Sequence, residues 1–190
     1  FMYLCRAGFK AKYLKPVEID NQIRGTLVHF VFEKMFLKHG SKKLSLLSDE
    51  QLRTEIHELV FGFAKERMGQ DDISGSFEYQ LLNTEELLFL IIKHMAEEMA
   101  DGKFVTARCE LPIGRNEQGS IPAFSVAFDQ GLISVTGVVD RVDIYEHDQK
   151  TYFRVVDYKT GTKTFSPDEL PYGLGLQMLI YLFAIEKHLK

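Results

Sequence analysis

The sequence of 190 residues contains no tryptophan, only two cysteines and five prolines. Cys5 and Cys109 are too few for a disulfide framework or a four-thiolate metal cluster, and they are typical of reduced thiols inside a cell. No apolar run approaches the roughly 20 residues that a membrane-spanning helix needs, and no signal peptide is recognisable. We therefore expect a cytoplasmic protein that has no membrane partner.

A strong excess of basic residues is also missing. Lysine and arginine number 23 against 27 aspartates and glutamates, which gives a formal net charge of −4. A wholly basic surface is excluded, although a local basic patch would still suffice to contact nucleic acid. With 45% hydrophobic and 26% charged residues the composition is that of a globular protein. The length favours one domain over 1–190, with a helical insertion over 40–101.

The pattern of apolar residues predicts a helical first half and a mixed second half. Three helices are predicted in the first half, over about 23–38, 48–68 and 79–99. The second of them starts at a capping box, in which Ser48 precedes Gln51 by three residues. Four strands and a last helix are predicted after them, over 103–111, 123–128, 135–146, 151–158 and from about 173 to the end. This order predicts an α/β (α+β) fold whose last helix packs back on the sheet.

Two of the predicted strands form a hairpin. The polar residues 147–150 separate the arms 135–146 and 151–158, which are both rich in β-branched and aromatic residues. A four-residue turn there would place Glu146 opposite Thr151. An odd number of turn residues would instead change which side chains share a face of the sheet.

In the even register, two carboxylates meet on one face of the hairpin. Asp140 lies opposite Asp157, with side-chain roots about 5 Å apart, and Lys159 points to the same face. Like charges placed opposite each other destabilise a sheet, so a bound divalent cation would explain the pair. Mg2+ is held by carboxylates, water and substrate phosphates, and a nearby lysine can stabilise a phosphate under attack. A surface hairpin in which Asp157 and Lys159 only form an ion pair remains open as the alternative.

Two further positions carry polar side chains on apolar helices. His29 lies among large apolar residues, where a histidine is usually a hydrogen-bonded core residue, and Glu33 is an available partner one turn later. Gln177 and Tyr181 are also four residues apart, on a helix that is apolar nearly all round. Their polar groups need partners, which lie either within the fold or in a cleft that binds substrate.

Four short motifs occur in a recognisable order along the chain. They are Gly25-x-x-x-His29, Gly137-Val138-Val139-Asp140, Asp157-Tyr158-Lys159 and Gln177-x-x-x-Tyr181. In this order they resemble the RecB-type nucleases of the PD-(D/E)XK superfamily. Within that branch the chain is most similar to the C-terminal nuclease domains of the AddB/RexB family of bacterial helicase–nuclease subunits. The resemblance implies a restriction-endonuclease-like core, with a mixed central sheet flanked by helices and a helical insertion.

The resemblance also implies roles for the motif residues. His29, Asp140 and Asp157 would be the side-chain metal ligands, and the backbone carbonyl of Tyr158 would be a further ligand. Lys159 would be the catalytic lysine, beside Asp140 and Asp157 as the catalytic acids. The metal would be Mg2+, for which Mn2+ could substitute.

Other residues have roles outside this group. The resemblance implies that Gln177 and Tyr181 contact DNA beside the scissile phosphate. Glu110, on the strand before the hairpin, is a candidate auxiliary acid, and a solvated strand residue is its alternative. Arg141 and Asp143 fall on the face opposite Asp140, where we expect a structural ion pair.

The implied function is that of a Mg2+-dependent deoxyribonuclease. It would hydrolyse single-stranded DNA as the exonuclease domain of an ATP-dependent helicase–nuclease, in double-strand break processing and recombinational repair. DNA and a second helicase–nuclease subunit are the implied partners. We expect a fragment of a longer protein, because the sequence starts without methionine and ends inside a helical pattern. The family's iron–sulfur cluster would form only in that longer chain, since neither end of this sequence reaches the positions of its cysteine ligands. Cys5 does not align with the first of these cysteines.

Two alternatives remain at this level. One is a catalytically silent nuclease-fold module that binds DNA or a partner, and the other is a free-standing RecB-like exonuclease. Silent modules usually lose an acidic ligand or the lysine. Asp140, Asp157 and Lys159 are all present, which favours an enzyme.

Overall fold

The computed structural model describes residues 21–68, 75–159, 166–172 and 175–189, which form four α-helices, five strands and one 3-10 helix. In chain order these are α1 (Asn21–Leu44), α2 (Asp49–Met68), α3 (Gly75–Asp101), β1 (Val105–Ile113), β2 (Phe124–Phe128), β3 (Gly131–Val135), β4 (Gly137–His147), β5 (Lys150–Val156), the 3-10 helix (Pro167–Tyr172) and α4 (Gln177–Leu189). The predicted α/β class is confirmed. Residues 1–20, including Cys5, lie outside the described part, as do residues 160–165.

The three predicted helices of the first half are all present; α1 and α3 are longer than expected, and α2 has nearly its predicted length. α1 continues past its predicted end at residue 38, through a kink at Gly40, whose φ of 65° and ψ of 171° are not helical. The predicted capping box of α2 is confirmed: the Ser48 amide donates to Gln51 Oε1 at 3.0 Å, and the Gln51 amide donates to Ser48 Oγ at 3.2 Å. Across the described residues, no helix is both long and apolar enough to cross a membrane.

The helices α1, α2 and α3 share one hydrophobic core. Fully buried side chains from all three helices meet there, among them Val31, Met35, Ile56, Val60, Leu88 and Ile92. At the surface, the Arg53 guanidinium of α2 lies 3.6 Å from the centre of the Phe89 ring of α3. The predicted insertion, 40–101, corresponds to α2, α3 and the end of α1. Its status as an insertion stays a prediction.

The strands form two antiparallel sheets. One has the order β1-β4-β5, and the other consists of β2 and β3. The ladders of the described residues are antiparallel, and the parallel pairing among them is an isolated bridge between Ile113 and Ile121. The single strand predicted over 135–146 was wrong at its start, because β3 ends at Val135 and β4 begins at Gly137. Val135 is the last residue of β3, and the sequence alone does not show that the chain changes its pairing partner at Thr136.

The last helix packs on the three-stranded sheet, as the element order predicts. Tyr181, Ala184 and Ile185 of α4 are buried in a second core with Val139 and Val142 of β4. The helix begins at Gln177, later than the predicted start near residue 173, which lies outside the described residues. This packing brings the start of α4 to the end of β5.

Candidate metal and catalytic site

The hairpin of β4 and β5 has the register expected from the sequence. Glu146 pairs with Thr151, and the antiparallel pairing continues as far as Arg141 and Val156, where β5 ends. The predicted pair of Asp140 and Asp157 therefore lies one position beyond the last pair of the ladder.

The turn of this hairpin is shorter than predicted. His147 pairs with Lys150, which leaves Asp148 and Gln149 as a two-residue turn with φ angles of 49° and 60°. Two-residue turns with both residues in the left-handed region match the twist of the flanking strands. Because each arm gains one residue, the register and the sharing of faces are unchanged.

Asp140 is a largely buried carboxylate at the site end of β4. Its Oδ2 accepts a hydrogen bond of 2.6 Å from the Tyr158 amide, and its Oδ1 lies 3.5 Å from His29 Nδ1. Burial raises the pKa of Asp140, the Tyr158 amide and His29 oppose the shift, and the charges of Asp157 and Glu110 add to it. Three carboxylates therefore contribute negative charge around this position.

His29 reaches Asp140 from α1. Its Nε2 lies 3.1 Å from the Tyr158 carbonyl oxygen, and its Nδ1 lies 3.7 Å from Glu110 Oε1. The contact with Glu110 raises the pKa of His29, and the charge of Asp140 and the Tyr158 carbonyl act in the same direction against burial. These contacts, rather than a pair with Glu33 of the same helix, occupy the imidazole.

Glu110 takes a more central position than the sequence indicated. It lies in β1 between Cys109, which pairs with Arg141, and Leu111, which pairs with Val139. Its φ of 48° is left-handed, which costs a non-glycine residue about 1–3 kcal/mol, and outside turns such strain is a recurring feature of functional sites.

The candidate ligand atoms of His29, Glu110 and Asp140 all lie within 4.8 Å of one another. This cluster of described residues contains Glu110 in addition to two of the predicted ligands. The sequence could not reveal it, because a register shift of β1 between Thr106 and Arg108 decides which residue faces Asp140.

Asp157, the third predicted ligand, lies beside this cluster in a network of its own. Lys159 Nζ lies 2.9 Å from Asp157 Oδ2, so the ion pair considered as the alternative is present. Gln177 Nε2 also donates to Asp157 Oδ1 at 3.1 Å, and Lys159 Nζ lies 3.4 Å from Gln177 Oε1. The start of α4 is thus bound directly to the predicted catalytic residues.

Tyr181 is hydrogen-bonded to this network from the buried side of α4. It is 8% exposed, and its hydroxyl accepts a hydrogen bond of 3.1 Å from Gln177 Nε2. Its ring packs on Gly137, where a Cβ would lie only 3.1 Å from the hydroxyl oxygen, which explains the glycine of this motif. Gln177 is exposed at the surface, whereas Tyr181 reaches the site through Gln177. Contact of either residue with DNA stays a prediction.

The ion pair predicted on the opposite face is confirmed. Arg141 Nε lies 3.0 Å from Asp143 Oδ1, and the fully buried Asp143 also binds Arg154 at 2.7 Å. Arg141 donates to the Tyr158 hydroxyl at 3.0 Å, and the Tyr158 ring stacks on Phe32 at 4.1 Å between ring centres. The side chain of Tyr158 is therefore held firmly, and with it the amide and carbonyl groups that contact Asp140 and His29.

The sequence of this chain is similar to those of several known proteins. The chain is 32% identical over 189 residues to a subunit of the ATP-dependent helicase/deoxyribonuclease of Clostridium kluyveri, and the match covers 97% of this chain and 16% of that protein. It is 31% identical over 196 residues to the corresponding subunit from Carboxydothermus hydrogenoformans, with 98% and 18% covered. The chain thus spans less than a fifth of the length of these relatives.

The sequence pattern of one family extends over the whole chain. The PD-(D/E)XK nuclease superfamily matches residues 1–190, in agreement with the predicted fold. The four motifs and the helix–sheet arrangement that brings them together have the order which the resemblance implied. The chain belongs to the PD-(D/E)XK nuclease superfamily.

Proposed function

We propose that this chain is a divalent-metal-dependent exonuclease that hydrolyses phosphodiester bonds of single-stranded DNA. The observation that carries the proposal is the convergence of His29, Glu110 and Asp140 within 4.8 Å, beside the linked Asp157 and Lys159. The relatives are named as helicase/deoxyribonuclease subunits. In keeping with these names, the chain would act as the nuclease domain of a helicase–nuclease in double-strand break processing and recombinational repair.

The donor set fits a divalent metal ion. Carboxylate and carbonyl oxygens with one imidazole suit Mg2+ or Mn2+. A bound cation would also offset the repulsion among the carboxylates around Asp140. We assign His29, Asp140, Asp157 and the Tyr158 carbonyl as ligands, with Glu110 as a further one. The bound ion would polarise the phosphate and lower the pKa of a bound water.

Lys159 and Gln177 would act on the substrate side of the site. Lys159 is about half exposed, and its ammonium would lie beside the phosphate and stabilise the negative charge that grows during attack. Asp157 orients this ammonium at 2.9 Å and holds the Gln177 amide at 3.1 Å. The Tyr181 hydroxyl accepts from the same amide nitrogen, so both N–H groups of Gln177 are used within the site, and a contact with the DNA backbone would exchange one of them for a phosphate oxygen.

The partners and location follow from the same proposal. DNA and a second helicase–nuclease subunit are the proposed partners, and ATP use would belong to the motor part of such an enzyme. An iron–sulfur cluster would depend on segments outside this chain. We propose a cytoplasmic location, where chromosomal DNA of a bacterium is found.

The test is cleavage of end-labelled single-stranded DNA in Mg2+ or Mn2+. Asp140→Asn and Lys159→Ala should each lower the cleavage rate by at least about 100-fold, because the first weakens binding of the metal that would polarise the phosphate and the second removes the ammonium that would stabilise its growing negative charge. Lys38→Ala, which removes an exposed lysine of α1 bound to Glu55 of α2, is the matched control and should retain activity. Full activity of either site variant would refute the assignment. A wild-type protein that binds DNA without cutting it would instead support the silent module.

A further inference from the structure

A pocket of about 310 Å3 opens beside Lys159, between α1 and α3. One side is apolar and comes from Val28 and Phe32 of α1 and from Leu87 and Ile91 of α3. The other side is formed by Asp157, Tyr158 and Lys159. The pocket is therefore continuous with the proposed catalytic site.

The apolar side combines a rigid floor with exposed walls. Phe32 is 2% exposed and stacks on the Tyr158 ring, while Leu88 beneath it is fully buried. Leu87 is 50% exposed and Ile91 is 37% exposed, so among the described residues these side chains are left open to solvent at the pocket. Exposed apolar side chains above a rigid pocket floor are suited to bind a flat apolar group that stacks on them.

Cations stand at the rim of this apolar surface. Arg24, an exposed residue of α1, lines the pocket together with Lys159. Within the described ranges, Arg24 takes part in no ion pair, whereas Lys159 is held by Asp157. A ligand with an apolar body and anionic groups attached to it would match both features of the pocket.

We infer that this pocket receives the unpaired base of a nucleotide adjacent to the scissile phosphate, with Arg24 binding a neighbouring phosphate. The inference rests on the proposed nuclease function and adds a reason for its single-strand preference. A base is a flat group flanked by two phosphates, and bases taken out of a helix are held by stacking against apolar and aromatic side chains. The volume is at the lower end of the roughly 300–1,000 Å3 of small-ligand pockets, which suits one base. A base paired in a duplex could not enter.

The experiment compares how fast the complete protein, with Mg2+ or Mn2+, cleaves two end-labelled single strands of DNA. The strands are identical except that one carries a single abasic nucleotide in place of a thymidine. Cleavage at the bonds flanking this position is measured on sequencing gels. Wild type should cut one of these bonds roughly tenfold more slowly in the abasic strand, which corresponds to the lower range for loss of base stacking.

Variants of the pocket assign this difference to Leu87. Leu87→Ser should slow cleavage of the base-bearing strand, so that the ratio between the two strands falls towards one. Leu90→Ser is the matched control, because Leu90 is 55% exposed on the same helix and does not line the pocket. It should retain the wild-type ratio. Arg24→Gln should weaken cleavage of both strands with a smaller dependence on salt, and should keep the ratio.

The outcomes separate the two proposals. Cleavage at equal rates on both strands by wild type, or a wild-type ratio in Leu87→Ser, would overturn the base pocket and leave the nuclease intact. If the protein cut duplex DNA as fast as single strands and cut the abasic strand as fast as the base-bearing one, the pocket would have another occupant. This result would also overturn the base pocket. Absence of any metal-dependent cleavage by wild type would overturn the nuclease function, and the base pocket with it. Circular dichroism and thermal unfolding of the variants identify any loss of fold.

Discussion

At the scale of single residues, Glu110 changes what the predicted metal site contains. The sequence assigned two aspartates and a histidine, and it left Glu110 open as an auxiliary acid or a solvated strand residue. In the structure its carboxylate lies 3.7 Å from His29 Nδ1 and is the largest cause of the raised pKa of that imidazole. The left-handed backbone of Glu110 is therefore a strained conformation within the cluster of candidate ligands.

This contact gives a pH-dependent prediction. The raised pKa keeps His29 protonated to higher pH in the metal-free protein, so the contribution of this pair to stability is present at low pH and is lost as the pH rises through the pKa. Metal binding has the opposite trend, because only the neutral imidazole binds a cation. Glu110→Gln should lower the pKa of His29, so that the histidine becomes neutral at lower pH.

The measurement is the NMR titration of the His29 ring in metal-free protein. Glu117→Gln, in the exposed segment after β1, serves as the control and should leave the His29 titration unchanged. If Glu110→Gln titrates like wild type, the Glu110–His29 contact does not set this pKa. The assignment of Glu110 as a ligand would then rest on the distances within the cluster alone.

At the scale of elements, the packing of α4 on β4 places Gln177 at the site. The contact point is Gly137, because a Cβ there would lie 3.1 Å from the Tyr181 hydroxyl oxygen and 3.2 Å from Cε1. Gly137→Ala should displace Tyr181, destabilise the fold by about 1–3 kcal/mol through overpacking, and slow DNA cleavage through Gln177. Urea unfolding and the cleavage rate measure the two effects.

Gly62→Ala is the matched control for this substitution. Gly62 lies exposed inside α2, and nothing stands within 4 Å of a Cβ built there. Alanine is favoured over glycine inside a helix, so this variant should be more stable by up to about 1 kcal/mol with unchanged cleavage. An equal response of both variants would show that the close contact between β4 and α4 has no role in the site.

The extent of what the sequence predicts also becomes clear at this scale. The register of the β4–β5 hairpin followed from the even-numbered turn predicted at its polar tip, and a turn shorter by two residues left it unchanged. The strand β3 was missed apart from its last residue, since this five-residue segment shows no regular alternation and its pairing with β2 is not encoded in its own sequence. Glu110 could not be placed, because its position opposite Asp140 depends on an irregularity near Arg108 that no local pattern encodes. Local sequence patterns thus predict which residues pair within one hairpin. Which strands and helices contact each other depends on tertiary packing.

At the scale of the whole molecule, the candidate metal site joins two hydrophobic cores. His29 comes from α1 in the helical core, whereas Asp140 comes from β4 in the core that the sheet shares with α4. Tyr158 packs against the helical core with its side chain and offers its backbone groups to both His29 and Asp140. A cation bound by these groups would therefore link the two halves of the fold as well as serve catalysis.

This position predicts that a divalent ion stabilises the whole protein against unfolding. A ligand that binds only the folded state adds about 2.7 kcal/mol at 100 times its Kd, so Mn2+ should raise the unfolding temperature clearly above that in EDTA. Asp140→Asn should lose this shift because one ligand charge is removed, whereas Asp129→Asn, at an exposed position beyond β2, should retain it. Scanning calorimetry with and without Mn2+ provides the measurement. If Mn2+ raised the unfolding temperature equally in Asp140→Asn and wild type, the stabilising ion would bind elsewhere. The proposed metal site would then not contribute to the stability of the fold.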